Sequence, residues 1–119
     1  MEPLKRYEGN GRMSKAVVYN GTLYLAGQTA RSAGSDIKSQ MNEVLAKILL
    51  LLKTYGSDKD AILSAHIFLK DMALFSEMNT IWDSWVELGH EPVRACVRAD
   101  MSHPDTLVEV VITAAIVNL

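Results

Sequence analysis

Arg94 and Glu109 are charged residues set in stretches that otherwise read as buried strand, Pro92-Val93-Arg94-Ala95-Cys96-Val97-Arg98 and Leu107-Val108-Glu109-Val110-Val111. Taking a charge out of water is costly, so such a group finds a partner, shifts its pKa or faces a functional cavity. A guanidinium keeps its charge and can grip a carboxylate with two parallel bonds. A carboxylate in a cavity can hold a water and move its proton. Together the two suggest a small pocket with an anion clamp and a proton-handling group. The plainer alternative is an edge-strand arginine paired with Glu91, Asp100 or Glu109 for stability alone. In a strand, Arg94, Cys96 and Arg98 share one face and Val93, Ala95 and Val97 the other. That places the thiol and both guanidiniums on the cleft side.

Cys96 reads first as a small buried hydrophobe, since no histidine stands in a recognisable pairing with it. His66, His90 and His103 are widely separated and have no ligand-like spacing with one another or with Cys96. No metal site is expected from them.

Rigid elements must position these groups. Residues 16–28 read as a hairpin, because Asn20-Gly21 supplies the positive φ that a type I′ turn needs between two β-rich runs. Gly27 at its end marks a bulge or a close approach of backbone to a ligand. Ser32 to Asp36 reads as a loop with Ser35 as N-cap and Asp36 in the first turn. A helix follows to about Tyr55, its apolar positions Ile37, Met41, Val44, Leu45, Ile48, Leu51, Leu52 and Tyr55 at helical period and Gly56 ending it. Leu49 and Leu50 widen that stripe, so the helix is expected to be buried on more than one side or to meet a second subunit. Residues 62–69 alternate as a strand, and Asp71 can cap a second helix. That helix carries Phe75, Met78, Trp82 and Trp85 on one face with Asn79 beside them, and Gly89 is expected to stop it. Pro92 opens the next strand, and 106–117 reads as a central strand covered on both faces. Residues 4–7 are a possible extra strand. Grouped strands with two helices predict an α+β fold with one mixed sheet and both helices on one face. A chain this short has nothing left to cover the other face, which points to a homo-oligomer.

The 119 residues form a single domain, 1–119, on the usual size scale. With 49% apolar and 22% charged residues, disorder is excluded. A net charge of −2 and no basic run beyond Lys5-Arg6 give no footprint for nucleic acid or an anionic membrane. The longest strongly apolar run, near Val44 to Leu52, is broken by Lys47 and too short to span a bilayer. The first residues lack the apolar core of a signal peptide, and one cysteine suits a reducing, cytoplasmic setting.

Several separated segments, in order, resemble the Rid family of reactive-intermediate deaminases, also called YjgF-type. They are Pro92-Val93-Arg94-Ala95-Cys96-Val97 followed by Val108-Glu109-Val110, Asn20-Gly21 leading to Leu25-Ala26-Gly27-Gln28, and Phe68-Leu69-Lys70-Asp71 followed by Phe75 and Met78-Asn79. The resemblance spans about Arg12 to Val117. It implies a chorismate-mutase-like subunit, a barrel-like homotrimer and sites in the clefts between subunits. For the best-studied branch it implies hydrolysis of enamine or imine intermediates such as 2-aminoacrylate to the 2-keto acid and ammonia. Arg94 then matches the substrate-carboxylate arginine and Glu109 the water-positioning glutamate. Cys96 matches the strand residue whose backbone faces the ligand, and Gly27 and Asn79 match positions near the cleft. Met13 stands where the deaminating branch has a tyrosine. Arg12-Met13-Ser14 instead resembles a second branch with an Arg-x-Ser element, several of whose members lack the general deaminase activity.

The sequence thus predicts hydrolytic deamination of small enamine or imine carboxylates, with catalytic Arg94 and Glu109 and a substrate site completed by Cys96, Gly27, Asn79, Arg12, Met13 and Ser14. No cofactor is expected, because such imines hydrolyse unaided once oriented and charge-stabilised. The partners expected are a small carboxylate metabolite and two further copies of the chain, without nucleic acid or membrane. Two alternatives stand beside this: a non-catalytic homotrimer that binds 2-keto acids, favoured by Met13, and a pathway-specific deaminase of a larger catabolic enamine, with Arg12 and Ser14 reshaping the pocket. The residues give no support to a nuclease: there is no basic groove, no stacking platform and no paired histidines.

Overall fold

Asn20 and Gly21 sit at φ 50° and 74°, and this left-handed pair folds β2 (Ala16–Tyr19) back on β3 (Thr22–Leu25) in antiparallel register. The protein is described by a computed structural model over residues 3–30 and 34–118, so part of the expected loop, Ser32 and the residue after it, lies outside the described residues. The expected extra strand is present as β1 (Lys5–Tyr7), paired antiparallel with β2. Chain order continues through α1 (Ile37–Thr54), β4 (Ile62–Leu69), α2 (Phe75–Trp85), β5 (Val93–Arg98) and β6 (Val108–Ala115). Short 3-10 turns at Lys59–Ala61 and Met72–Leu74 precede β4 and α2.

The six strands make one mixed sheet in the order β1-β2-β3-β6-β4-β5, with β4 and β5 parallel and the other pairs antiparallel. The parallel pair is joined through α2, as a parallel connection requires. β6 is central, and its burial alternates: Val108, Val110, Ile112 and Ala114 are buried while Glu109, Val111, Thr113 and Ala115 are half-exposed. Within one chain, then, β6 is covered on one face only. Ala65, Ile67 and Leu69 of β4 join the buried set, and Ser64, His66 and Phe68 lie opposite. Against the buried face α1 lays Ile37, Met41, Val44, Leu45, Ile48 and Leu52, and α2 adds Met78, Ile81 and Trp82. Leu50 remains 68% exposed on the outer side of α1.

Element ends differ from the sequence reading in small ways with clear causes. Asp36, not Ser35, caps α1, because its carboxylate accepts from Ser39 N at 3.0 Å. Asp71 caps the 3-10 turn leading into α2, accepting from Ala73 N. α2 ends at Trp85, where Val86 turns extended; Gly89, at φ 90°, belongs to the turn beyond.

The buried Gln40 of α1 ties the helix to the approach of β6. Its Nε2 donates to Asp105 O at 2.8 Å and to Gly34 O at 3.2 Å, and its Oε1 accepts from Leu107 N at 2.8 Å. All three backbone groups lose their partner if the amide is removed, and an unsatisfied buried group costs more than the bond itself contributed. Gln40→Leu is expected to lower stability by about 1–3 kcal/mol, seen as a lower urea midpoint with an unchanged denaturant slope.

Candidate functional site

Arg94 lies on β5 opposite Ala65 of β4, so its side chain shares the helix-covered face. β5 is the edge strand, and there the guanidinium runs under α2. Nη1 donates to Asn79 Oδ1 at 2.7 Å, and the guanidinium carbon lies 5.9 Å from the Phe75 ring centre and 5.7 Å from that of Trp82. Cys96, two residues on, is half-buried against the same core. Burial pushes its thiol pKa up, and the nearby Arg94 charge only partly opposes this. A thiol so held is a poor nucleophile.

Glu109 occupies the other face. It pairs with Phe68 across β4 and opens on a recess of about 190 Å³ lined by Phe68, Ala99, Asp100, Met101 and Glu109 itself. Gly27 meets it from the end of β3, where Gln28 makes a single bridge to Val110 with reciprocal backbone bonds of 2.9 and 3.1 Å. A Cβ at Gly27 would fall 3.0 Å from the Glu109 carboxyl carbon and 3.2 Å from its Cγ, with an oxygen closer still. Close approach of backbone to side chain is thus what glycine serves at this position.

The sheet therefore brings Arg94 together with Asn79, and Glu109 together with Gly27, but separates the two charges. Within one chain they face opposite sides. Two strand spacings divide their strands, about 10 Å, and three residues along β5 add a similar distance. A small carboxylate cannot touch both in one protomer. The side of the sheet that Glu109 faces carries Tyr24, Val93 and Val97 with no cover, Val93 being 74% exposed.

Arg12, Met13 and Ser14 lie between β1 and β2. Asn10 Oδ1 accepts from the backbone N–H of both Arg12 and Met13 at 2.9 Å, and Met13 is 54% exposed. No described contact joins this loop to Arg94 or Glu109. The loop is fixed from below by Glu8, which accepts from the Tyr55 hydroxyl at the end of α1 and pairs with Lys15 at 3.4 Å. The Tyr7 and Tyr55 rings pack against each other, tilted, with centroids 5.0 Å apart. Bonding to the Tyr55 hydroxyl, with Lys15 adding to it, holds the Glu8 carboxyl below its ordinary pKa, and the same bond pushes Tyr55 up to about 12.

The sequence places Phe75 and Trp82 on one face of α2, but their contact with Arg94 was missed. So was the lining of Asp100 and Met101 beside Glu109. A parallel register between β4 and β5 decides both, and no local pattern announces it. Among the described residues no group of three or more His, Cys, Asp or Glu could hold a metal ion, and no helix is long and apolar enough to cross a membrane.

Comparison with known proteins accounts for nearly the whole chain. The family described as Endoribonuclease L-PSP matches residues 4–116. A RutC family protein of Haemophilus ducreyi is 39% identical over 113 residues, covering 95% of this chain and 97% of the relative. The RutC family protein YoaB of Escherichia coli K12 is 40% identical over 111 residues, covering 93% and 96%. Among solved structures, NMB1025 of Neisseria meningitidis, a member of the YjgF protein family, superposes with a TM-score of 0.93 at 38% identity and covers 98% of each chain.

Two outcomes follow from this geometry. Gly27→Ala is expected to drive Glu109 into another rotamer, at a cost of order 0.5–1.5 kcal/mol; a crystal structure of the variant with the carboxylate unmoved would contradict it. Tyr55→Phe is expected to flatten both ends of the stability–pH profile. Glu8, with a lowered folded pKa, contributes above its unfolded value and loses this as pH falls through the folded one. Tyr55, with a raised folded pKa, contributes below about pH 10 and loses this as pH rises toward 12. Urea midpoints across pH 3 to 12 check both limbs, and identical profiles for wild type and variant would refute the link.

Proposed function

The chain belongs to the endoribonuclease L-PSP (YjgF-type) family, and on that premise we propose that it hydrolytically deaminates small enamine or imine carboxylates to 2-keto acids and ammonia. Family membership supports the broad role in deaminating reactive intermediates. The observation that carries the finer reading is Arg94. It is a half-buried guanidinium held in one orientation by Asn79, Phe75 and Trp82, with no carboxylate in ion-pair reach among the described residues. Such a group has positive charge and donors to offer a carboxylate from outside the chain.

We place the reaction in clefts between the subunits of a cytoplasmic homotrimer, each chain acting as one Rid-type domain. Two observations support an inter-subunit site. Arg94 and Glu109 lie on opposite faces of the sheet, so a second copy must bring a Glu109 to an Arg94. The uncovered face beside Glu109 also exposes Tyr24, Val93 and Val97, apolar surface of the kind that marks an interface.

In this mechanism Arg94 holds the substrate carboxylate and so fixes C2. Backbone groups near Gly27 and Cys96 orient the nitrogen and the developing oxygen. Glu109 positions a water and accepts its proton as the oxygen adds to the C=N carbon, giving a carbinolamine. That proton passes to nitrogen to complete the carbinolamine, and an enamine substrate enters the same path once it has tautomerised to the imine. The hydroxyl proton is then carried through Glu109 to the nitrogen as the C–N bond breaks and the C=O bond forms, so that ammonia leaves and the 2-keto acid remains. Orientation and charge stabilisation supply the acceleration, without a cofactor.

Met13 favours a second reading. At that position the chain offers an exposed thioether and no phenol, so the same trimer could clamp a 2-keto acid without turnover. An exposed Arg12 on the same loop suits a larger catabolic enamine as the substrate. Ammonia and keto-acid release from freshly generated 2-aminoacrylate separates these readings. Arg94→Ala is expected to lower kcat/KM roughly 100-fold, and Glu109→Gln to lower kcat roughly 10²-fold or more. Equal rates for wild type and Arg94→Ala rule out the mechanism. Saturable binding of 2-ketobutyrate without ammonia release selects the binding protein.

A further inference from the structure

Arg94 is anchored without being neutralised, and we infer that Asn79 is the positioning residue responsible, its uncharged amide fixing the guanidinium while leaving the charge for an incoming carboxylate. The inference rests on the reading of Arg94 as a carboxylate clamp and adds what keeps that clamp open. Phe75, Asn79 and Trp82 follow one another at helical spacing on α2, so one face of a single helix presents all three to the guanidinium. Their contacts are a hydrogen bond of 2.7 Å and two ring faces within 6 Å. None of the three carries a formal charge.

An arginine drawn in against a core loses part of its hydration, and a carboxylate partner is one way to offset that cost. Here the matching group is an amide oxygen. A guanidinium has only donors, so the amide must turn Oδ1 toward Arg94, which leaves its NH2 unused by that bond. That NH2 makes no hydrogen bond among the described residues. An aspartate at 79 has nearly the same shape and accepts the same bond. It would also cancel the charge, turning the clamp into a closed internal ion pair. The choice of amide over carboxylate is therefore a specificity element, selecting for an external anionic ligand.

Stability and binding should move in opposite directions across two near-isosteric variants, which a merely structural role cannot produce. Asn79→Asp is expected to unfold at or above the wild-type midpoint, yet hold 2-ketobutyrate roughly tenfold or more weakly, approaching Arg94→Ala. Asn79→Leu, which removes the bond without adding charge, is expected to unfold earlier but to bind better than Asn79→Asp. Calorimetric titration with 2-ketobutyrate and thermal unfolding of the intact protein read both quantities. If wild type binds, Arg94→Ala does not, and Asn79→Asp binds as wild type or better than Asn79→Leu, the inference is overturned and the clamp reading survives. If wild type does not bind 2-ketobutyrate, the clamp reading falls and the inference falls with it.

Discussion

Successive side chains of a strand point to opposite sides of its sheet, and in this protein the central strand β6 enforces that rule on everything around it. Val108, Val110, Ile112 and Ala114 turn one way and are fully enclosed. Burying four such side chains contributes several kcal/mol, at roughly 25 cal/mol per Å² of apolar surface. Sliding the register by one residue would bury Glu109 and Thr113 in their place. The side on which Glu109 emerges is therefore fixed by its neighbours. Arg94 is fixed by the same rule from the other side, through its parallel pairing with Ala65 in β4.

Helix α2 does two jobs at one edge of this arrangement. Met78, Ile81 and Trp82 close the core, while Phe75, Asn79 and Trp82 hold the Arg94 guanidinium. Because Trp82 serves both, the Arg94 guanidinium is anchored directly on the core. The 12–14 loop is built differently. It depends on a local Asx-type turn at Asn10 and on the exposed Glu8–Tyr55 contact with the end of α1, both outside the core. An arginine anchored on the core thus stands in the same chain as an exposed loop held by hydrogen bonds at its own edges.

Local chemistry was legible where it acts locally. Asn20-Gly21 dictated the hairpin, the helical period of Ile37 to Leu52 dictated α1, and period-two alternation dictated β4. Errors fell at element ends and at long-range pairings. Ser35 and Asp36 are both good capping residues, and only the bond to Ser39 N separates them. The apolar run from 106 to 117 suggested a strand covered on both sides, because half-exposed Val111 and Ala115 look the same in sequence as buried Val110 and Ala114.

By itself the sequence determined which side chains are chemically capable: an arginine and a glutamate in strand, a glycine where a side chain would intrude, an asparagine on an aromatic helix face. Residue type and short-range period suffice for that, since propensity and alternation act over a few residues. Which of these groups meet was decided only by tertiary structure. The strand order β6-β4-β5 and the β4–β5 register set Arg94 under Asn79 and put Glu109 on the far side of the sheet, beside Gly27. Pairings between residues distant in the chain follow from how the whole core packs, and no local pattern encodes them.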